Sequence, residues 1–74
     1  MNDDIGSVRD WLTVREREVL KSVAMGLSAK EIAKTLNIAP RTVERHIDHI
    51  RLKTRTRNRS HMVAYAIENG FMDA

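Results

Sequence analysis

Two four-residue phrases, Thr13-Val14-Arg15-Glu16 and Ser28-Ala29-Lys30-Glu31, constrain this chain more than any other feature. Each has the form of a capping box. A hydroxyl side chain accepts from the backbone N–H three residues on, and the glutamate reaches back to the N–H of the hydroxyl residue. That arrangement belongs to a helix N-terminus, so helices are expected to start at Val14 and at Ala29. After the first box, Val19, Leu20, Val23, Ala24 and Leu27 follow Leu12 at helical spacing, with Arg15, Arg17, Glu18, Lys21 and Ser22 on other faces. Met25-Gly26 closes this helix, because glycine enters the left-handed conformation without a Cβ clash.

The second helix must be short. Ile32, Ala33 and Leu36 form its apolar stripe, Asn37 is a left-handed stop, and Pro40 fits the first turn of a third helix, where its missing N–H is no loss. A short helix, a turn of Asn37, Ile38 and Ala39, and a longer helix make a helix-turn-helix. Along the third helix Val43, Ile47 and Ile50 give one narrow inward stripe, while Arg41, Thr42, Glu44, Arg45, Asp48, His49 and Arg51 occupy the other faces. Thr54 to Arg59 is basic and poorly periodic, and reads as the helix end plus a loop. Ser60 is expected to cap a fourth helix running to about Asn69, with Gly70 as its stop and Phe71 folded back onto the core. The expectation is an all-α fold with helices near 14–25, 29–36, 40–54 and 60–69. No strand pattern, internal repeat or low-complexity tract is present.

At 74 residues the chain is one small domain, with room for one core and no separate catalytic lobe. It has no cysteine, so neither a disulfide framework nor a thiolate metal site stiffens it, which suits a reducing cytoplasm. There is no basic, then apolar N-terminal signal and no apolar run of the roughly 18 residues or more that a membrane helix needs. A soluble, cytoplasmic protein is expected.

The net charge of +3 is unevenly spread. Residues 1–12 carry −2, and residues 41–59 carry +5 from Arg41, Arg45, Arg51, Lys53, Arg55, Arg57 and Arg59 against Glu44 and Asp48. Concentrated positive charge is the footprint of a polyanion site, since each neutralised phosphate releases condensed counterions. A solvated basic helix end is the alternative.

Enzyme classes find no support. Ser28, Ser60, His46 and His61 form no triad motif, no glycine-rich phosphate loop follows a strand, and no paired carboxylates share a cleft. His46 and His49 have a spacing that can hold a metal, but no further ligands accompany them. No cofactor, metal or small-molecule substrate is expected. His46 reads as a packed, hydrogen-bonded side chain and His61 as a surface one. Trp11, Tyr65 and Phe71 are too few for a single-strand stacking platform, and Trp11 is expected to pack on the first helix.

From Leu12-Thr13-Val14-Arg15-Glu16-Arg17-Glu18-Val19-Leu20 onward the chain resembles LuxR-type domains, also called GerE-type and shared by NarL- and FixJ-like response regulators. The resemblance continues through Gly26-Leu27-Ser28-Ala29-Lys30-Glu31-Ile32-Ala33, Leu36-Asn37-Ile38, Thr42-Val43-Glu44-Arg45-His46, Ile50, Lys53 and Ala66 to Gly70-Phe71, about four-fifths of the chain. It implies a four-helix fold in a transcriptional regulator, a third helix in the major groove and dimer contacts through the fourth. Three positions depart from the pattern. Ala39 stands where a capping serine is common, Glu44 where lysine is frequent, and Thr54 where a core leucine is usual.

Within that frame Arg45 is the candidate for bidentate contact with the O6 and N7 of guanine, and Glu44 for accepting from a cytosine amino group. Asp48 reads as a solvated residue or a partner for Arg45 or Arg51. Arg41, Thr42, Lys53 and Arg55, with Ser28, Ala29 and Lys30 at the start of the second helix, are candidates for phosphate contacts, which fix position without reading sequence. On the fourth helix Met62, Val63 and Ala66 are expected inward, leaving Ala64, Tyr65 and Ile67 for a weak homodimer. Residues 1–11 read as a tail or linker and 12–74 as the domain. The expected partners are double-stranded DNA, a second copy, and RNA polymerase or a regulatory domain of the same protein. The alternative reading, which the acidic Glu44 and Asp48 keep open, is a helical protein-interaction module that modulates another regulator without touching DNA.

Overall fold

The computed structural model describes residues 11–73, and the tail expected over residues 1–11 lies outside them except for Trp11. Among the described residues there are four helices and no strand: α1 (Val14–Ala24), α2 (Ala29–Leu36), α3 (Pro40–Thr54) and α4 (Arg59–Glu68). Both capping boxes form. Thr13 Oγ1 accepts from the Glu16 N–H at 3.0 Å and Glu16 Oε1 accepts from the Thr13 N–H at 2.9 Å. Ser28 and Glu31 repeat the exchange at 3.1 and 2.8 Å. Gly26 and Asn37 end α1 and α2 with positive φ, as their turns require.

α1 packs against both α3 and α4, and α2 lies mainly on α3. The core is built from Leu12, Val19, Leu20 and Val23, from Ile32 and Ala33, from Val43 and Ile50, and from Met62, Ala66 and Phe71. Burying each of the Val, Leu, Ile, Met and Phe side chains among them stabilises by about 1.5–3 kcal/mol. Phe71 is held by its N–H donating to the Ala66 carbonyl at 2.9 Å, and its ring lies 6.4 Å from that of Tyr65.

The structure departs from the sequence reading at several residues. α4 is capped by Asn58, whose Oδ1 accepts from the His61 N–H at 2.9 Å, so Ser60 falls inside the first turn. Trp11 is more than half exposed. Ile47 packs against the core as expected but is only half-buried, so the fully buried part of the α3 stripe is Val43 and Ile50. His46 is half-buried, and its ring makes no hydrogen bond among the described residues. Thr54 does not mark a gap awaiting a leucine. Its hydroxyl donates to the Ile50 carbonyl at 2.8 Å and lies 3.0 Å from the hydroxyl of buried Thr56, a polar pair the sequence did not disclose.

Candidate nucleic-acid interface

α3 supplies the site because its two sides differ so sharply. Val43 and Ile50 are fully buried. At about 100° per residue, Arg41, Arg45, Asp48 and Leu52 fall within about 30° of the line opposite them. All four are exposed. Glu44 stands to one side of that line, with Arg51 beside it, and His49, Lys53 and half-buried Thr42 flank the other.

The outward arginines are uncommitted: Arg41 and Arg45 have no ion pair or hydrogen-bond partner for their guanidinium groups among the described residues. Asp48 Oδ1 is 3.8 Å from Arg51 Nη2, a loose pair beyond hydrogen-bond reach. The helix start is equally open. Ala39 provides no side-chain cap, and Pro40 occupies the first turn.

The flank toward α1 is committed to the fold. Lys53 Nζ donates to Glu16 Oε1 at 2.8 Å and to the Trp11 carbonyl at 3.1 Å. Lys53 is a candidate phosphate contact, and the structure engages its ammonium with a buried carboxylate while the side chain stays partly exposed. His49 Nδ1 lies 3.9 Å from the other oxygen of Glu16. Burial alone raises the Glu16 pKa, but hydrogen bonds from Lys53 and the Thr13 N–H and the charges of Lys53 and His49 outweigh it, leaving the carboxyl below its usual range.

The other candidates divide between the ends of the helices. Lys30 is exposed at the start of α2 beside half-buried Ala29, and Ser28 is engaged with Glu31. An open cleft of about 560 Å³ between α2 and the start of α3 is lined by Lys30, Lys34, Asn37 and Pro40. Sequence reasoning missed Lys34, whose only signal was its i, i+4 spacing from Lys30. Arg55 ends α3 in the left-handed conformation, with φ at 57°, and is exposed. Arg59 donates to the Leu27 carbonyl and so ties α4 to the loop between α1 and α2. On α4, Ala64 and Ile67 face outward. Tyr65 is half-buried against the core, and burial raises its pKa. Among the described residues, no group of three or more His, Cys, Asp or Glu is placed to hold a metal ion, and no helix is long and apolar enough to cross a membrane.

This arrangement of short helix, turn and exposed basic third helix coincides with a known family, bacterial regulatory proteins of the luxR family, which matches residues 10–66. The chain belongs to the luxR family. A probable transcriptional regulator ycf29 of Cyanophora paradoxa is 47% identical over 60 residues, covering 81% of this chain and 29% of that protein. The transcriptional regulatory protein FixJ of Rhizobium meliloti is 40% identical over 72 residues, covering 93% and 35%. Among solved structures, the phage VqmA-DPO complex contains a chain that matches with a TM-score of 0.79 and 36% identity, over 85% of this luxR-family chain and 29% of that one. The chain thus spans about a third of the length of these relatives. Family and relatives are transcriptional regulators, not enzymes, which supports a role in transcriptional regulation through DNA binding.

Proposed function

We propose that this luxR-family domain binds double-stranded DNA sequence-specifically, with α3 in the major groove, as the DNA-binding part of a cytoplasmic transcriptional regulator. The observation that carries this reading is the outward line of α3, where Arg41 and Arg45 stand exposed, with no partner among the described residues, opposite a fully buried stripe. Arg45 reads guanine, and Glu44, at the side of the line, accepts from a cytosine amino group. Arg41, Thr42 and Arg55 hold phosphates around α3, and Ser28, Ala29 and Lys30 present the start of α2 to the backbone. Lys53 acts chiefly by fixing the end of α3 to Glu16, with phosphate contact secondary. Two copies pair on DNA through Ala64, Ile67 and the edge of Tyr65, placing two α3 helices on half-sites roughly 10 base pairs apart. Within a regulator, RNA polymerase or an attached regulatory domain are the further partners.

Titration with mixed-sequence duplex at two salt concentrations tests the reading. Binding should weaken steeply with salt, and Arg41→Ala should lower the slope by about 0.9. Arg45→Ala should instead flatten preference at one base pair of a selected site. A protein-interaction module would show no salt-dependent duplex binding in the same titration.

A further inference from the structure

Leu52 has no place in the core and none in the roles assigned so far. It is the most exposed large apolar side chain among the described residues, at 72%. It also lies on the outward line of α3 with Arg41, Arg45 and Asp48, the one apolar side chain among three charged ones. Building on the DNA-binding reading, we propose that Leu52 is a specificity residue that packs against the 5-methyl group of a thymine in the major groove.

The shared line supports this occupant. At about 1.5 Å rise per residue, Arg45 and Leu52 stand about 10.5 Å apart along the helix, two turns apart on the same outward face. The groove-facing line therefore presents a guanidinium, a carboxylate and an isobutyl group in succession. Among the groups on base edges in that groove, the thymine methyl is the one that offers an aliphatic side chain an apolar contact specific to a base. A leucine facing phosphates or polar edges alone would gain nothing.

Replacing thymine by deoxyuridine removes only that methyl group and leaves every hydrogen bond of the pair intact. On a duplex selected by this protein from random sequence, each thymine is replaced in turn and binding measured for the wild type and for Leu52→Ala. The wild type should lose about fourfold in affinity at one thymine, the equivalent of one buried methyl-sized group. Leu52→Ala should be insensitive at that same position. Circular dichroism should show an unchanged fold, since the side chain is exposed. Equal thymine-to-uracil losses in both proteins, or no sensitive thymine in the wild type, would overturn the role of Leu52 while leaving DNA binding intact. Failure of the wild type to bind any duplex would overturn the DNA-binding reading itself, and this role with it.

Discussion

The two ends of α3 are built on opposite principles. Its C-terminal end is tied down by Lys53 on buried Glu16, by the Thr54 hydroxyl on the Ile50 carbonyl and on Thr56, and by the left-handed stop at Arg55. Its N-terminal end has no side-chain cap at Ala39, and its arginines have no partners among the described residues. Stabilising interactions are concentrated where the helix meets α1, and unsatisfied polar capacity is left where a ligand can supply the missing partners. A rigidly held helix with an open end is suited to present side chains to a polyanion, because little order remains to be acquired on binding.

The largest expected effect comes from removing the apolar anchor beneath the fastened end. Ile50→Ala should cost about 2–5 kcal/mol, a large fraction of the stability of so small a domain. Ile47→Ala should cost less because that side chain is half-buried, and urea denaturation of the two variants measures the difference. If they proved equal, the uneven division of the α3 stripe would not hold.

Loss of the Glu16 charge should come next. Glu16→Gln should cost about 1.5–3 kcal/mol at neutral pH, toward the lower figure because Lys53 is partly solvated. The folded-state pKa of Glu16 is lowered, so its contribution is present above the ordinary carboxylate pKa and is lost as pH falls through the depressed range. Thermal melts from neutral to acid pH should therefore show a shallower acid limb for Glu16→Gln than for the wild type.

Thr54→Leu should destabilise by about 1 kcal/mol, because it deprives the buried Thr56 hydroxyl of a partner. A raised melting temperature would show that apolar packing at this position outweighs the polar pair. The smallest change should come at the open end. Ala39→Asp should stabilise the fold by about 0.5–1 kcal/mol by capping α3, yet weaken duplex binding by placing a negative charge beside the phosphates. A variant both more stable and tighter binding would mean that this end does not approach the DNA backbone.

Much of the fold was legible in the chain because its signals are local. The capping boxes at Thr13 and Ser28, the stop at Asn37 and the proline at Pro40 act within one turn of themselves, and the structure realises each of them. The cap of α4 was misplaced because Asn58 and Ser60 are both good N-cap residues in one polar stretch, and local preference does not choose between them. The basic stretch over residues 41–59 located the candidate interface, since charge excess needs no coordinates to be counted. Which of those cations remain available was not legible.

Sequence alone determined the helical class, the helix-turn-helix order and the face of α3 that must turn inward, since helical periodicity and capping depend on neighbours three or four residues away. Tertiary structure decided what depended on residues far apart in the chain. It engaged Lys53 with Glu16 at 2.8 Å, left Trp11 exposed, paired Thr54 with Thr56 and engaged Arg59 at the Leu27 carbonyl. A side chain's charge is fixed by its chemistry, but whether that charge is spent on the fold or left for a ligand depends on which distant group the packing of α1 against α3 and α4 brings alongside it.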